Sequence, residues 1–333
     1  MKRLGIINIT DPSASNIHCR LGCQNESGRG NAGGIHYGLS RFAAAEFRAR
    51  FPFGIVKLKD AAIPLAVEIT GWSPFLPGDA DNSSLPVAGL EYRFINRTGK
   101  TIEGIYSFHA FNFMQIKPEP SKPRRDYVSR TENGFILGQE PNKDKPWNKG
   151  EFCVETDDGN VVVDCAWFRG GWFDPLTMVW KSIESGKCQE KAPVKNCDPS
   201  PGASIYVPLK IKAGETAKVI LRFCWHVPDS DLRVGTDPEV GCSGSRSCGK
   251  KTKKQTTYKP WYASKLGDIN AVSNFWRSNY DDLRRKTAAF TNCFYDTNLP
   301  DEVIEAVAAN LSMNMNADTG MPGPCLLMRS CRV

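Results

Sequence analysis

Apolar and polar positions alternate along the middle of the chain. In IPLAVEITGW, the residues Ile63, Leu65, Val67 and Ile69 alternate with polar or small residues. Successive side chains of a strand point to opposite faces, so this period of two predicts a half-buried β-strand. The same alternation recurs in VAGLEYRF, NVVVDCAWF, ASIYVPLKI and TAKVILRFCWHV.

The connections between these segments are short and carry turn residues. NRTGK is expected to join VAGLEYRF to IEGIYSF as a hairpin, with Ile102, Tyr106 and Phe108 continuing the inward face. KAGE similarly reads as a turn before the last strand. Strands that follow one another without helices favour a large antiparallel two-sheet β-sandwich, which we place at residues 41–237.

The period changes towards the end of the chain. Residues 238–257 are rich in Ser, Gly and Lys and predict an exposed loop. Ile269, Val272, Trp276 and Leu283 then follow the spacing of an amphipathic helix.

A second helix is predicted to begin at Pro300, with Asp301 and Glu302 in its first turn, where they favour the helix dipole. Residues 258–312 are therefore expected to form a linker helix and the first helix of a further helical domain. The apolar faces of both helices are expected to be unburied in this chain. Residues 1–40 and 313–333 lack sustained periodicity, and the latter range is predicted to be an aberrant tail.

Composition indicates a globular protein with a core, at 41% hydrophobic and 24% charged residues. No run of about 18 apolar residues occurs, so no transmembrane segment is expected. No secretory signal is visible, which makes a cytoplasmic location the default expectation. The net charge is +7, but its basic clusters accompany no nucleic-acid motif, so solvated loops are favoured and no nucleic-acid partner is expected.

The cysteines and histidines suggest structural roles. Cys165 and Cys224 lie in apolar runs and are expected to act as small hydrophobes. His109 and His226 lie in predicted strands without an evident Ser or Cys partner, which favours core histidines over catalytic ones. The motif His18-Cys19-x3-Cys23, with His36 downstream, departs from standard zinc spacing, so neither a metal nor a cofactor is expected.

Two aspartates and one aromatic stretch carry candidate chemistry. Asp79 and Asp81 suit calcium binding or acid–base work, but a structural turn before a strand is favoured. In WFRGGWFD, the candidate sugar-facing or domain-interface residues are Trp167, Arg169, Trp172 and Asp174. The alternative is aromatic core around a Gly-Gly turn. A docking segment would leave Trp172 exposed while Trp167 stays buried.

Several longer stretches carry a family resemblance, foremost among them PLAVEITGWSPFLPGDADNSSLPVAGLEYRF, CAWFRGGWFDPLTMVW and FYDTNLPDEVIEAVAANLS. From about Arg41 to Ser312 the chain resembles glycoside hydrolase family 116, which includes bacterial β-glucosidases and the non-lysosomal glucosylceramidase. The resemblance implies an N-terminal β-sandwich followed by an (α/α)6 catalytic domain. It also implies retaining hydrolysis of β-glucosides or glucosylceramide, by a Glu nucleophile and an Asp acid/base on the helical domain.

The resemblance assigns no catalytic residue to this chain. Both carboxylates of the family lie downstream of the helix that begins at Pro300, and the sequence departs from the family at about Met313. We therefore expect a truncated N-terminal domain, from a frameshift or a broken gene model, that is inactive alone. The alternatives are a free-standing carbohydrate-binding or domain-docking sandwich, and an interaction module without sugar affinity.

Overall fold

Two antiparallel sheets form the body of the protein. The computed structural model describes residues 42–116, 123–170, 175–195, 197–231 and 257–314. Its strands are β1 Ala44–Arg50, β2 Phe53–Lys59, β3 Leu65–Trp72, β4 Val87–Asn96, β5 Ile102–Phe111, β6 Asp126–Arg130, β7 Gly134–Gln139, β8 Gly150–Thr156, β9 Val162–Asp164, β10 Gly202–Ile211 and β11 Thr216–His226.

Five helices accompany the strands in the part of the chain that the structure describes. They are α1 Ala80–Ser83, α2 Pro175–Glu184, α3 Trp261–Lys265, α4 Ile269–Tyr295 and α5 Asp301–Asn314, with a 3-10 turn at Pro146–Asn148. The protein is thus mainly β with a C-terminal helical region, as the sequence predicts.

The main core lies between an eight-stranded sheet, in the order β1-β2-β3-β4-β11-β8-β7-β6, and a three-stranded sheet, in the order β5-β10-β9. The alternating positions face it as expected: Val67, Ile69, Phe94 and Leu221 are all at most 2% exposed. The predicted β-sandwich is confirmed.

The predicted hairpin between β4 and β5 is wrong. β4 pairs with β3 and β11 in the large sheet, whereas β5 pairs with β10 in the small one. The chain changes sheets after Asn96, whose buried amide nitrogen donates hydrogen bonds to the carbonyls of Lys100, Ile211 and Lys212. Alternation shows which face of a strand is buried but not which strand lies beside it, so the inward positions were right while the partner was not.

Helix α4 covers the outer face of the large sheet, which corrects the expectation of an unburied apolar face. Val272 and Trp276 of α4 are fully buried. They belong to a second core cluster with sheet residues that point away from the main core, such as Ile136, Cys153 and Cys224. The strands are therefore apolar on both faces, and the stripe of α4 finds its partner within the described chain.

Polar contacts fasten α4 at several points. Asp268 caps its first turn by accepting a hydrogen bond from the amide of Ala271 at 2.7 Å. Near its other end, the hydroxyl of Tyr295 accepts from the amide of Phe51 at 2.9 Å, and Thr291 donates to the carbonyl of Phe51 at 3.0 Å. These contacts hold the helix over the β1–β2 turn as well as over the middle of the sheet.

Helix α5 is less covered than α4. Ile304 and Ala308 are buried, but Leu299, just before the helix, and Val303 and Val307 are 52%, 44% and 47% exposed. The exposed residues are spaced by four and so form one stripe along the helix. For this helix, the expectation of an exposed apolar face holds.

No helix within the described ranges is long and apolar enough to cross a membrane. The one basic cluster that lies wholly within those ranges, residues 284–286, is paired with acids: Arg284 with Glu91, and Arg285 and Lys286 with Asp282. This cluster lies on helix α4, not on the solvated loop that the sequence analysis favours.

Candidate functional site

The aromatic stretch predicted as a site begins directly after β9, on the outer face of the small sheet. Trp167 is 1% exposed and packs against Leu176 and Val179 of α2 and the ring of Phe111, whose centroid lies 5.2 Å away. A buried indole offers no face to a sugar ring. Trp167 therefore anchors the start of the segment in the fold.

Two serines fix Trp167 in place. Its amide donates to the Oγ of Ser200 at 2.9 Å, and its indole Nε1 donates to the Oγ of Ser204 at 2.8 Å. Gly202 makes room for the ring, because a Cβ there would lie 2.6 Å from the indole and 2.4 Å from the carbonyl oxygen of Ala110.

His109 extends this network along the small sheet. Its Nδ1 lies 2.8 Å from the Oγ of Ser204, its direct partner on β10, and its Nε2 lies 3.0 Å from the Oγ of Ser107. Burial lowers the pKa of His109 to about 3, so the ring is neutral at physiological pH. Since Ser204 is itself fully buried, the pair is a structural network and not a nucleophile with its base.

Sequence reasoning missed the serine partners of His109. Ser204 is 95 residues away along the chain, and only the register of β5 against β10 brings the two together. Ser107, two positions before His109, was visible, because positions i and i+2 of a strand share a face.

Asp164 fixes the start of the segment. One carboxylate oxygen accepts from the amide of Ala166 at 2.8 Å, and the other lies 2.9 Å from the Nζ of Lys191. The backbone that leads into Trp167 is thus held by an acidic side chain that is itself only 4% exposed.

Arg169 lies two residues beyond the anchor and is exposed, as is Gly170. Trp172 and Asp174 lie outside the described residues. The structure therefore brings a buried Trp167 and an exposed Arg169 to one place. The burial of Trp167 agrees with both the docking and the aromatic-core interpretation, which differ in the exposure of Trp172.

The other candidates take structural roles. Asp79 caps α1: its carboxylate accepts from the side-chain nitrogen of Asn82 at 2.6 Å and from the backbone amide of Asn82 at 3.0 Å. These two hydrogen bonds lower the pKa of the carboxyl. Asp81 instead pairs with Lys265 at the surface. The favoured turn is confirmed, and no three metal-ligating side chains converge among the residues that the structure describes.

His226 and the two cysteines expected to act as small hydrophobes are core residues. His226 is 1% exposed, and its Nδ1 lies 3.6 Å from the Oε2 of Glu151, too far for a hydrogen bond. Cys165 and Cys224 are buried, as expected of small hydrophobes. His18, Cys19, Cys23 and His36 lie outside the described residues.

Comparison with known families identifies the family to which this β-sandwich belongs. The sequence matches the family model described as "beta-glucosidase 2, glycosyl-hydrolase family 116 N-term" over residues 15–283. The chain belongs to this family. The resemblance found in the sequence is thereby confirmed, and the matched range of this family 116 domain runs from upstream of Arg41 into α4, as far as Leu283.

One solved structure similar to this family 116 domain is described as "Putative kojibiose phosphorylase from human microbiome". The two align with a TM-score of 0.36 and 10% sequence identity, over 75% of this chain and 25% of the other. The chain thus spans about a quarter of that protein's length. No curated protein matches the sequence.

Proposed function

We propose that this chain is the β-sandwich domain of a retaining β-glucosidase or glucosylceramidase, which hydrolyses β-glucosidic bonds. In this proposal an (α/α)6 domain supplies the Glu nucleophile and the Asp acid/base. Membership of the family 116 N-terminal domains, over residues 15–283, is the observation that carries it.

The engagement of the sandwich carboxylates supports a non-catalytic role. A retaining glycosidase holds two carboxyl groups about 5 Å apart on either side of the sugar. The buried carboxylate of Glu155 accepts a hydrogen bond from the hydroxyl of Ser273, and that of Asp164 pairs with the ammonium group of Lys191. Glu91 is held by Arg284 in the same way.

The geometry around Trp167 suggests how the sandwich would meet the helical domain. Trp167 fixes the backbone, and Arg169 projects from it at the surface. A guanidinium can grip a carboxylate with two parallel hydrogen bonds, which gives a docking contact both strength and direction. We therefore propose that Arg169 contacts an acidic side chain of the helical domain.

The boundary between the two domains follows from the packing of the helices. We propose that α4 stays with the sandwich, because its apolar face is buried against the large sheet. Helix α5, with its exposed stripe, would then lead into the helical domain. β-Glucoside or glucosylceramide would bind there, not to the sandwich.

The test compares hydrolysis by the chain with and without a catalytic domain. The chain alone should release no 4-nitrophenol from 4-nitrophenyl β-glucoside above background. Addition of a family 116 helical domain should give turnover above that of the helical domain alone. Turnover by the chain alone that is lost in Asp174→Asn would contradict the proposal, because it would place catalysis in the sandwich.

Arg169→Ala tests the docking contact. This variant should weaken the association of the two domains, measured by titration calorimetry, whereas Arg285→Ala, another exposed arginine, should not. Calorimetry with glucose and cellobiose separates the alternative of a carbohydrate-binding module. Sugar affinity of the isolated chain that Arg169→Ala abolishes would favour that alternative.

A further inference from the structure

Cys153 and Cys224 lie side by side on the outer face of the large sheet. They are direct register partners on the antiparallel strands β8 and β11. Both are free thiols and belong to the cluster beneath α4, where they are 1% and 2% exposed. The site already described, on the small sheet, uses neither of them.

The register sets the distance between the two cysteines. The amide of Trp225 donates to the carbonyl of Pro86, so the amide of Cys224, the residue before it, faces β8. Cys153 and Cys224 therefore form a hydrogen-bonded pair, for which the Cα separation is about 5.5 Å. Disulfides span Cα separations of about 4.4–6.8 Å, so the backbone already has a suitable spacing.

The side chains also meet. Both belong to the same packed cluster beneath α4, and the neighbouring thiol of Cys224, together with burial, raises the pKa of the Cys153 thiol. Cys165 is equally buried, but its sulfur lies 4.0 Å from a backbone oxygen, that of Ser129, and not beside a second thiol of the described residues. It therefore serves as an internal control for the pair.

We infer that Cys153 and Cys224 form a redox pair, which hydrogen peroxide converts to a cross-strand disulfide in the folded chain. One thiol gives up its proton, and its sulfur attacks the peroxide. The O–O bond breaks to leave a sulfenic acid, and the departing hydroxide takes up the proton as water. The second thiol likewise loses its proton, and its sulfur displaces the sulfenic hydroxyl, which leaves as a second water as the S–S bond forms. Two thiols thus lose two electrons and two protons, and the peroxide gains them.

Two features set how the pair behaves. Because the pKa of Cys153 is raised, the thiolate fraction is small at neutral pH, and oxidation should accelerate as pH rises. Directly opposed Cβ atoms lie about 4.5–5.5 Å apart, and a disulfide draws them to about 3.8 Å. The bond should therefore be readily reduced by dithiothreitol.

The experiment maps the disulfides of the full chain. The folded protein is treated with hydrogen peroxide, blocked with N-ethylmaleimide, digested and analysed by mass spectrometry, with and without dithiothreitol. We expect a peptide that links Cys153 to Cys224 and disappears on reduction, while Cys165 is recovered as a blocked thiol. Cys165→Ser should leave the link unchanged, and in Cys153→Ser the thiol of Cys224 should stay reduced.

The wild-type protein alone decides the matter, even if Cys153→Ser does not fold. Recovery of Cys153 and Cys224 as thiols, under peroxide that oxidises the exposed Cys197 and Cys293 of the folded chain, would overturn the inference. A link that forms equally well in urea would also overturn it, because the pairing would then not depend on the native register.

Discussion

The carboxylate of Glu91 on β4 grips the guanidinium of Arg284 on α4 with both oxygens, at 2.5 Å from Nε and 2.9 Å from Nη2. The same Oε1 accepts from the hydroxyl of Tyr280 at 2.9 Å and from the indole nitrogen of Trp72 at 3.0 Å. One acidic side chain on the outer face of the sheet thus accepts hydrogen bonds from two residues of helix α4 and from one residue of the neighbouring strand β3.

Glu91→Ala should lower the free energy of unfolding by about 2 kcal/mol. The substitution leaves the hydroxyl of Tyr280 without its acceptor and the half-buried guanidinium of Arg284 without its partner, and each loss of this kind costs about 1–3 kcal/mol. The indole nitrogen of Trp72 still donates to the hydroxyl of Tyr280 at 3.0 Å. Urea unfolding followed by tryptophan fluorescence measures the change. Glu68→Ala is the control, because its pair with Arg93 is more exposed and should contribute below about 1 kcal/mol. Equal effects of the two substitutions would contradict a fastening role for Glu91.

Removal of everything after residue 257 should unfold the sandwich. Burial of one large apolar side chain contributes about 1.5–3 kcal/mol, and α4 buries five, so their sum rivals the 5–15 kcal/mol stability of a typical domain. These five are Ile269, Val272, Trp276, Tyr280 and Leu283. Circular dichroism and size exclusion measure the outcome. Removal of residues 299–333 is the control and should leave the sandwich folded; a soluble, folded 1–257 fragment would show that α4 is dispensable.

Trp276→Ala offers a single-residue version of this test. The indole is fully buried, its ring lies 5.2 Å from that of Trp72, and its nitrogen donates to the carbonyl of Ala88 at 3.3 Å. Loss of a buried aromatic side chain costs about 3–5 kcal/mol. Val303→Ala, on the exposed stripe of α5, should cost less than about 0.5 kcal/mol in the same urea titration.

His109 should make stability depend on pH. Burial lowers the folded pKa to about 3, below the ordinary histidine value of 6.5, so the unfolded chain binds the proton more readily between these values. The contribution of His109 to stability is therefore complete above pH 6.5 and lost as pH falls towards 3, by up to about 1.4 kcal/mol per pH unit. Urea titrations of wild type and His109→Gln between pH 7 and pH 4 isolate this effect. Parallel curves for the two proteins would contradict it.

Gly202→Ala should disturb the Trp167 anchor. A Cβ at this position meets the backbone oxygen of Ala110 and the indole ring, and such overpacking costs about 1–3 kcal/mol. Unfolding measurements and the near-ultraviolet circular dichroism of the tryptophans report the change. Gly99→Ala is the matched control, since its Cβ would meet nothing within 4 Å and it should behave as wild type.

The sequence predicts which face of each strand or helix is buried better than it predicts which strands pair with one another. Alternation identified the inward residues of β3, β4 and β11, and the helical spacing identified the stripe of α4. It did not show that β5 joins the other sheet, because the period of two is the same whichever strand lies beside it.

The sequence did contain a signal that the outer face of the large sheet, which α4 covers, is also buried. Phe135, Ile136 and Leu137 of β7 are consecutive apolar residues, and Phe152, Cys153 and Val154 of β8 are another such run. A strand that is apolar at successive positions is covered on both faces. The network around His109, by contrast, depends on a register that no local pattern specifies.

Asn96 begins the sequence Asn-Arg-Thr, which is an acceptor motif for N-linked glycosylation. A glycan replaces a hydrogen on the same amide nitrogen that, in the folded protein, donates to three backbone carbonyls in two neighbouring turns. The side chain is 1% exposed, so the folded domain has no space for a sugar there. Glycosylation at Asn96 and the passage of the chain from one sheet to the other therefore exclude each other.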